Sequence, residues 1–148
     1  MGERGAMFFG EYTYKVDDKG RLPLPSHFRE YLKDGLVILP GVEKCLIIYP
    51  VHDWIKLAQS LTTPGSLGTS KMRRLNRALF ASAFHLNLDR QGRINIPSPL
   101  REYGGLGDEV VVCGANGYIE VWDKELWADE VAKCREQTWQ IIESMEKR

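Results

Sequence analysis

Clustered metal ligands and nucleophile-base pairs are missing from this chain of 148 residues. It has three cysteines and three histidines. Cys45, Cys113 and Cys134 are odd in number and show no C-x-x-C spacing, so buried, reduced thiols are expected rather than a zinc site or a disulfide framework. His27, His52 and His85 are scattered, with no H-x-x-x-H pattern and no carboxylate cluster beside them, which supports neither metal binding nor a catalytic triad. The glycine-rich stretch GGLGDEV (104–110) lacks the G-K-[ST] of a phosphate-binding loop. No cofactor, metal, small-molecule substrate or enzymatic reaction is therefore expected. Apolar runs approaching the ~20 residues of a membrane span are also missing, and MGERGAMFFG has no apolar signal region. The expected location is cytoplasmic, away from membranes. Net charge is lacking too: 20 Lys and Arg balance 20 Asp and Glu. A field useful to a polyanion must then come from local clustering.

What the chain does have is a sentence written twice. VDDKGRLPLPSHFREY at 16–31 returns as LDRQGRINIPSPLREY at 88–103, identical at eight of sixteen positions. Unrelated segments of this length would share about one. Four further pairs exchange one apolar side chain for another. The identities are Asp17/Asp89, Gly20/Gly92, Arg21/Arg93, Pro25/Pro97, Ser26/Ser98, Arg29/Arg101, Glu30/Glu102 and Tyr31/Tyr103.

Both copies read alike beyond the motif. YTYKV and FHLNL alternate as strands, D-x-x-G is a tight turn, and RLPL and RINI are the returning strands of a hairpin. Gly20 and Gly92 stand where such a turn needs positive φ. Ser26 and Ser98 are placed as N-caps of short helices, with Pro99 near the first turn of the second. Two more strands follow in each copy, LVIL with CLIIY and VVVC with YIEVW. Helices are expected over 51–61, 71–81 and 124–147, with a Gly/Ser/Pro linker at 62–70. The division is 11–54 for unit one, 55–82 for a helical linker, 83–127 for unit two and 128–148 for a C-terminal helix. That last helix spaces Trp127, Val131, Cys134, Thr138, Ile141 and Met145 as an apolar seam. Units of this size have little chance of burying a core alone, but two can cover each other.

The chemistry rests in the turn. D-x-x-G-R puts an acid and an arginine at its two shoulders, so Asp17 can hold Arg21 and Asp89 can hold Arg93 in a fixed direction. Lys19, Arg90 and Gln91 project beyond them with Asp18. A preset planar fork of donors suits phosphate or guanine; the plainer alternative is that the pairs only brace their turns. Lys71, Arg73, Arg74 and Arg77 form a second basic group, best read as a solvated helix face. Arg29 and Arg101 are expected to pair with Glu30 and Glu102 within or between units. Trp54, Trp127 and Trp139 are expected as core or interface anchors.

The doubled D-x-x-x-R, the continuations RLPLPSHFREYL and RINIPSPLREY, and the opening MFFGEY resemble the MraZ family of bacterial transcriptional regulators, from Met7 to near the end. Residues 1–6 precede the family's usual start, as a vector remnant or an alternative start would. The resemblance implies an α+β, mainly β fold, in which two swapped-hairpin SpoVT-AbrB-like units make one pseudo-two-fold β-barrel with flanking helices. It further implies ring-shaped homo-oligomers larger than a dimer. The implied partner is promoter DNA of the division and cell-wall gene cluster, bound at short direct repeats, and hence a nucleoid-associated location. Arg21 and Arg93 are the implied motif arginines, with Lys19, Arg90 and Gln91 around them and Asp17, Asp89, Gly20 and Gly92 bracing the turns. A competing expectation is an AbrB-like antitoxin-type module whose C-terminal helix captures another protein.

Overall fold

A computed structural model describes residues 5–61 and 68–147. Most of the expected Gly/Ser/Pro linker and the first four residues lie outside that range. The elements run β1 (Glu11–Lys15), β2 (Arg21–Pro23), α1 (Ser26–Leu32), β3 (Leu36–Pro40), β4 (Leu46–Pro50), α2 (Val51–Leu61), α3 (Ser70–Phe80), β5 (Phe84–Leu86), β6 (Arg93–Asn95), α4 (Ser98–Gly104), β7 (Glu109–Gly114), β8 (Ile119–Asp123) and α5 (Lys124–Glu146). The protein is α+β and mainly β in its core. No helix among the described residues is long and apolar enough to cross a membrane.

Strand pairing departs from the local hairpins that the turns suggested. β1 pairs with β7 and β5 with β3, while β2 pairs with β6 in a separate ribbon. Each unit therefore lends its first two strands to the other. The cause is visible in the turn itself, where the Asp17 carboxylate takes the Arg21 amide hydrogen that a β1–β2 ladder would need. Two backbone bonds close the turn before the strands part, Asp17 N to Arg21 O at 3.1 Å and Gly20 N to Asp17 O at 3.0 Å. The large sheet has the order β1-β7-β8-β4-β3-β5. Exchanging the two units reverses this order into itself, so a pseudo-two-fold axis passes between β4 and β8 and between β2 and β6. The described strands form an open six-stranded sheet and a two-stranded ribbon, not one continuously bonded closed barrel, because β1 and β5 end the sheet without pairing to each other.

Alternation along the strands explains the core. Leu22 and Ile94 on the inner face of the ribbon meet Leu36, Ile38, Leu46, Ile48, Val110, Val112, Ile119 and Val121 from the sheet, with Phe28 of α1 and Leu100 of α4 between them. Phe8 closes the cluster, its ring 5.1 Å from that of Phe28. On the opposite face of β3 and β4, Tyr49 and Trp54 stack at 5.8 Å and Trp54 and Phe80 at 5.1 Å, which seats α2 and α3. On β7 and β8, Val111, Cys113 and Trp122 receive Leu126 and Trp127 from the start of α5.

Local details correct three expectations. Ser26 and Ser98 are the first helical residues, preceded by Pro25 and Pro97, and make no cap bond; proline already sets the φ a helix entry requires. Cys45 and Cys113 are buried free thiols, but Cys134 is exposed, because α5 leaves the body of the protein before reaching it. Beyond Val131 every described side chain of α5 is exposed, including Trp139 at 73% and Met145 at 65%. Thr69 and Asp123 cap α3 and α5 through their side-chain oxygens.

Candidate nucleic-acid interface

The two D-x-x-G-R turns have the same internal wiring. Asp17 Oδ1 accepts the amides of Lys19 and Arg21, both at 2.9 Å, and Oδ2 accepts Arg21 Nε at 2.6 Å. Asp89 repeats this with Gln91 at 2.8 Å, the Arg93 amide at 2.9 Å and Arg93 Nε at 2.9 Å. Gly20 and Gly92 sit at φ 79° and 74°, where a Cβ is strained. Gly20 N and Gly92 N each donate 3.0 Å back to the carbonyl of the turn's aspartate. These bonds favour the ionised carboxylates. Both aspartates are held below the usual range, chiefly by the backbone amides of Arg21 and Arg93 and then by the guanidinium bonds.

Each pair braces its turn, yet the brace uses only one of the five N–H groups of each guanidinium. The terminal nitrogens of Arg21 and Arg93 have no hydrogen-bond or ion-pair partner among the described residues. Bracing and recognition are thus compatible in one side chain.

The ribbon brings the two arginines together. β2 and β6 are antiparallel with Arg21 opposite Asn95 and Pro23 opposite Arg93. Facing residues share a face, so both arginines project outward while Leu22 and Ile94 are buried beneath them. Two residues along a strand and one strand across separate the arginines, about 8 Å between their Cα atoms. Lys19, Arg90 and Gln91 are exposed beside them, as is Asp18. The two arginines thus share one face of the ribbon, while antiparallel pairing sets the Lys19 turn at one end of its strands and the Arg90–Gln91 turn at the other.

The structure does not bring the second basic group there. Lys71, Arg73, Arg74 and Arg77 lie on α3, whose apolar side seats on the outer face of β3 and β4, leaving the sheet between them and the ribbon. Nor do Arg29 and Arg101 pair with Glu30 and Glu102. Each donates Nε to a backbone carbonyl five residues earlier, Leu24 O at 2.8 Å and Ile96 O at 3.1 Å, which the helix entry turns toward it. Each lies against the D-x-x-G-R turn of the other unit. Their identity in both copies of the repeat was the available signal, and the adjacent glutamates pointed away from it.

No group of three or more His, Cys, Asp or Glu among the described residues could hold a metal. Burial pushes the Cys45 and Cys113 thiols up to about 12, so neither supplies a thiolate.

A family model described as "MraZ protein, putative antitoxin-like" matches residues 7–77 and again 79–148. The chain is similar to proteins named Transcriptional regulator MraZ. Two strains of Dehalococcoides mccartyi have such proteins, 56% identical over 95% of this chain and 99% of the relative, and 55% identical over the same shares. Another, from Roseiflexus sp. strain RS-1, is 44% identical over 82% of this chain and 84% of the relative.

Proposed function

Since the chain belongs to the MraZ family, we propose that it regulates transcription by reading promoter DNA with the two braced turns of its ribbon. One observation carries the reading: Arg21 and Arg93, each fixed by an aspartate and each with free terminal nitrogens, stand side by side on one exposed face. An arginine in a set rotamer loses little freedom on making a bidentate contact to a guanine edge. Lys19, Arg90 and Gln91 flank that contact, with the two cations placed for phosphates.

The relatives' name supports a transcriptional regulator, and DNA is the partner such a role needs. The finer expectations follow from this as parts of the proposal. Target sites are short direct repeats in the promoter of the division and cell-wall gene cluster, and the protein works in the cytoplasm on the nucleoid. Several copies assemble into a ring larger than a dimer, with two units contributed by each chain. Linked turns at fixed spacing raise affinity through effective concentration. The exposed apolar residues Trp139, Ile141, Ile142 and Met145 of α5 are the surface available for assembly.

Those residues also support a second reading, an antitoxin-type module whose α5 captures a different protein. Solution mass separates the two, because closed self-assembly would occupy α5. The primary test is a mobility shift with the duplex upstream of the protein's own gene against a scrambled duplex. Equal affinity for both duplexes at physiological salt would remove the sequence-reading role.

A further inference from the structure

Arg29 and Arg101 occupy equivalent positions in the two units, and each reaches the turn of the other. A Cβ placed on Gly20 would stand 2.9 Å from Cζ of Arg101, and one placed on Gly92 would stand 2.5 Å from Cζ of Arg29. Each guanidinium therefore fills the space beside a turn glycine that has no side chain to hold it. The seat is wired from behind as well. Leu24 accepts Arg29 Nε on its carbonyl and donates its own amide to Gly92 O at 3.2 Å. Ile96 accepts Arg101 Nε and donates to Gly20 O at 2.9 Å. Neither arginine has an acidic partner among the described residues, so the seat depends on a planar group and a fixed Nε donor rather than on charge neutralisation.

We propose that Arg101 and Arg29 are crossed positioning residues: Arg101 sets the turn that carries Arg21, and Arg29 sets the turn that carries Arg93. This rests on the reading of the turns as DNA-reading elements. Its consequence is that each reader is held in place by the helix of the opposite unit. Lysine cannot substitute, because an ammonium is not planar and has no Nε fork.

The test uses the full chain and a double-mutant cycle. Promoter affinity is measured by fluorescence anisotropy for Arg101→Ala and Arg101→Lys, alone and combined with Arg21→Ala or Arg93→Ala. Arg101→Ala is expected to weaken binding about tenfold. Added to Arg21→Ala, it should cost less than about twofold more, and added to Arg93→Ala it should cost the full factor again. Arg101→Lys should behave as alanine does, and it carries the cycle if the alanine variant fails to fold. Coupling to Arg93 instead of Arg21, or full affinity with lysine, overturns the assignment. Hydrogen exchange on the DNA-free protein reads the seat separately. In Arg101→Ala, residues 17–21 should exchange faster and residues 89–93 should not; no change at 17–21 overturns the seat. If Arg21→Ala and Arg93→Ala both leave promoter binding untouched, DNA reading fails while the exchange pattern still decides the seating.

Discussion

Replacing Arg21 with alanine removes one hydrogen bond to Asp17 and leaves two. The Lys19 and Arg21 amides still bind Asp17 Oδ1 at 2.9 Å, and Gly20 N still closes the turn. The lost Arg21–Asp17 pair is solvent-accessible, about one-third exposed on each side, so its removal should cost little stability. Loss of a bidentate base contact costs about 1–3 kcal/mol, roughly 5- to 150-fold in affinity for each engaged turn. The recognition loss thus exceeds the structural one, and the two can be measured apart. Anisotropy titrations of promoter and scrambled duplex at fixed salt give the first; a circular-dichroism melt gives the second. The promoter should lose more affinity than the scrambled duplex, while Lys19→Ala should weaken both and lower the salt dependence by about one released ion. In an assembly of several chains the loss repeats at each turn. If Arg21→Ala and Arg93→Ala both remain folded and assembled and keep full promoter affinity, the turns only shape the fold and the mechanism is wrong.

Other consequences can be checked directly. Ending the chain after Val131 should leave the core folded, because the described residues beyond it are exposed, yet reduce the assembly seen by light scattering; an unchanged mass would show that distal α5 is not the assembly surface. Residues 7–62 alone should not unfold cooperatively as a monomer, since β1 and β2 have their partners in the other half; a monomeric cooperative melt would contradict interlocked units. Acid should loosen the turns. Asp17 and Asp89 have folded values below the ordinary 3.8, so their stabilisation is full above the unfolded value and is lost as pH falls through the folded one. Protection from exchange at 17–21 and 89–93, taken relative to the intrinsic amide rate at each pH, should stay constant from neutrality to about pH 5 and fall only in more acid solution; Asp17→Asn should remove that dependence at its own turn.

The repeat, the strands, the three longer helices and both turns were legible because their signals are local: alternation, glycine at positive φ, and apolar spacing. Strand partnership was not. D-x-x-G-R specifies a turn, but the same aspartate that makes the turn withdraws the Arg21 amide from a hairpin ladder, and the strands find their partners in the other unit, from about fifty to about a hundred residues away. The Asp17–Arg21 and Asp89–Arg93 pairs were legible for the same reason as the turns. Arg29 and Arg101 were misread because their neighbours in sequence, Glu30 and Glu102, suggested ion pairs, whereas each donates to a carbonyl of its own unit and packs against the turn glycine of the other. Cys134 was misplaced because its helical spacing matched a buried seam, while α5 extends past anything that could cover it.

The exchange of strands between units also constrains how the chain is made. Glu11 faces Cys113 in the finished sheet, so β1 leaves the ribosome long before its partner exists. At about 5–20 residues per second the interval is roughly 5–20 s. Throughout it, the first unit presents strands without neighbours and an apolar surface without a cover. A chain further along the same message already carries the complementary second half. Crowded translation therefore favours pairing between neighbouring chains, and rapid completion of the second half, or a chaperone that shields the first, keeps each protein self-contained.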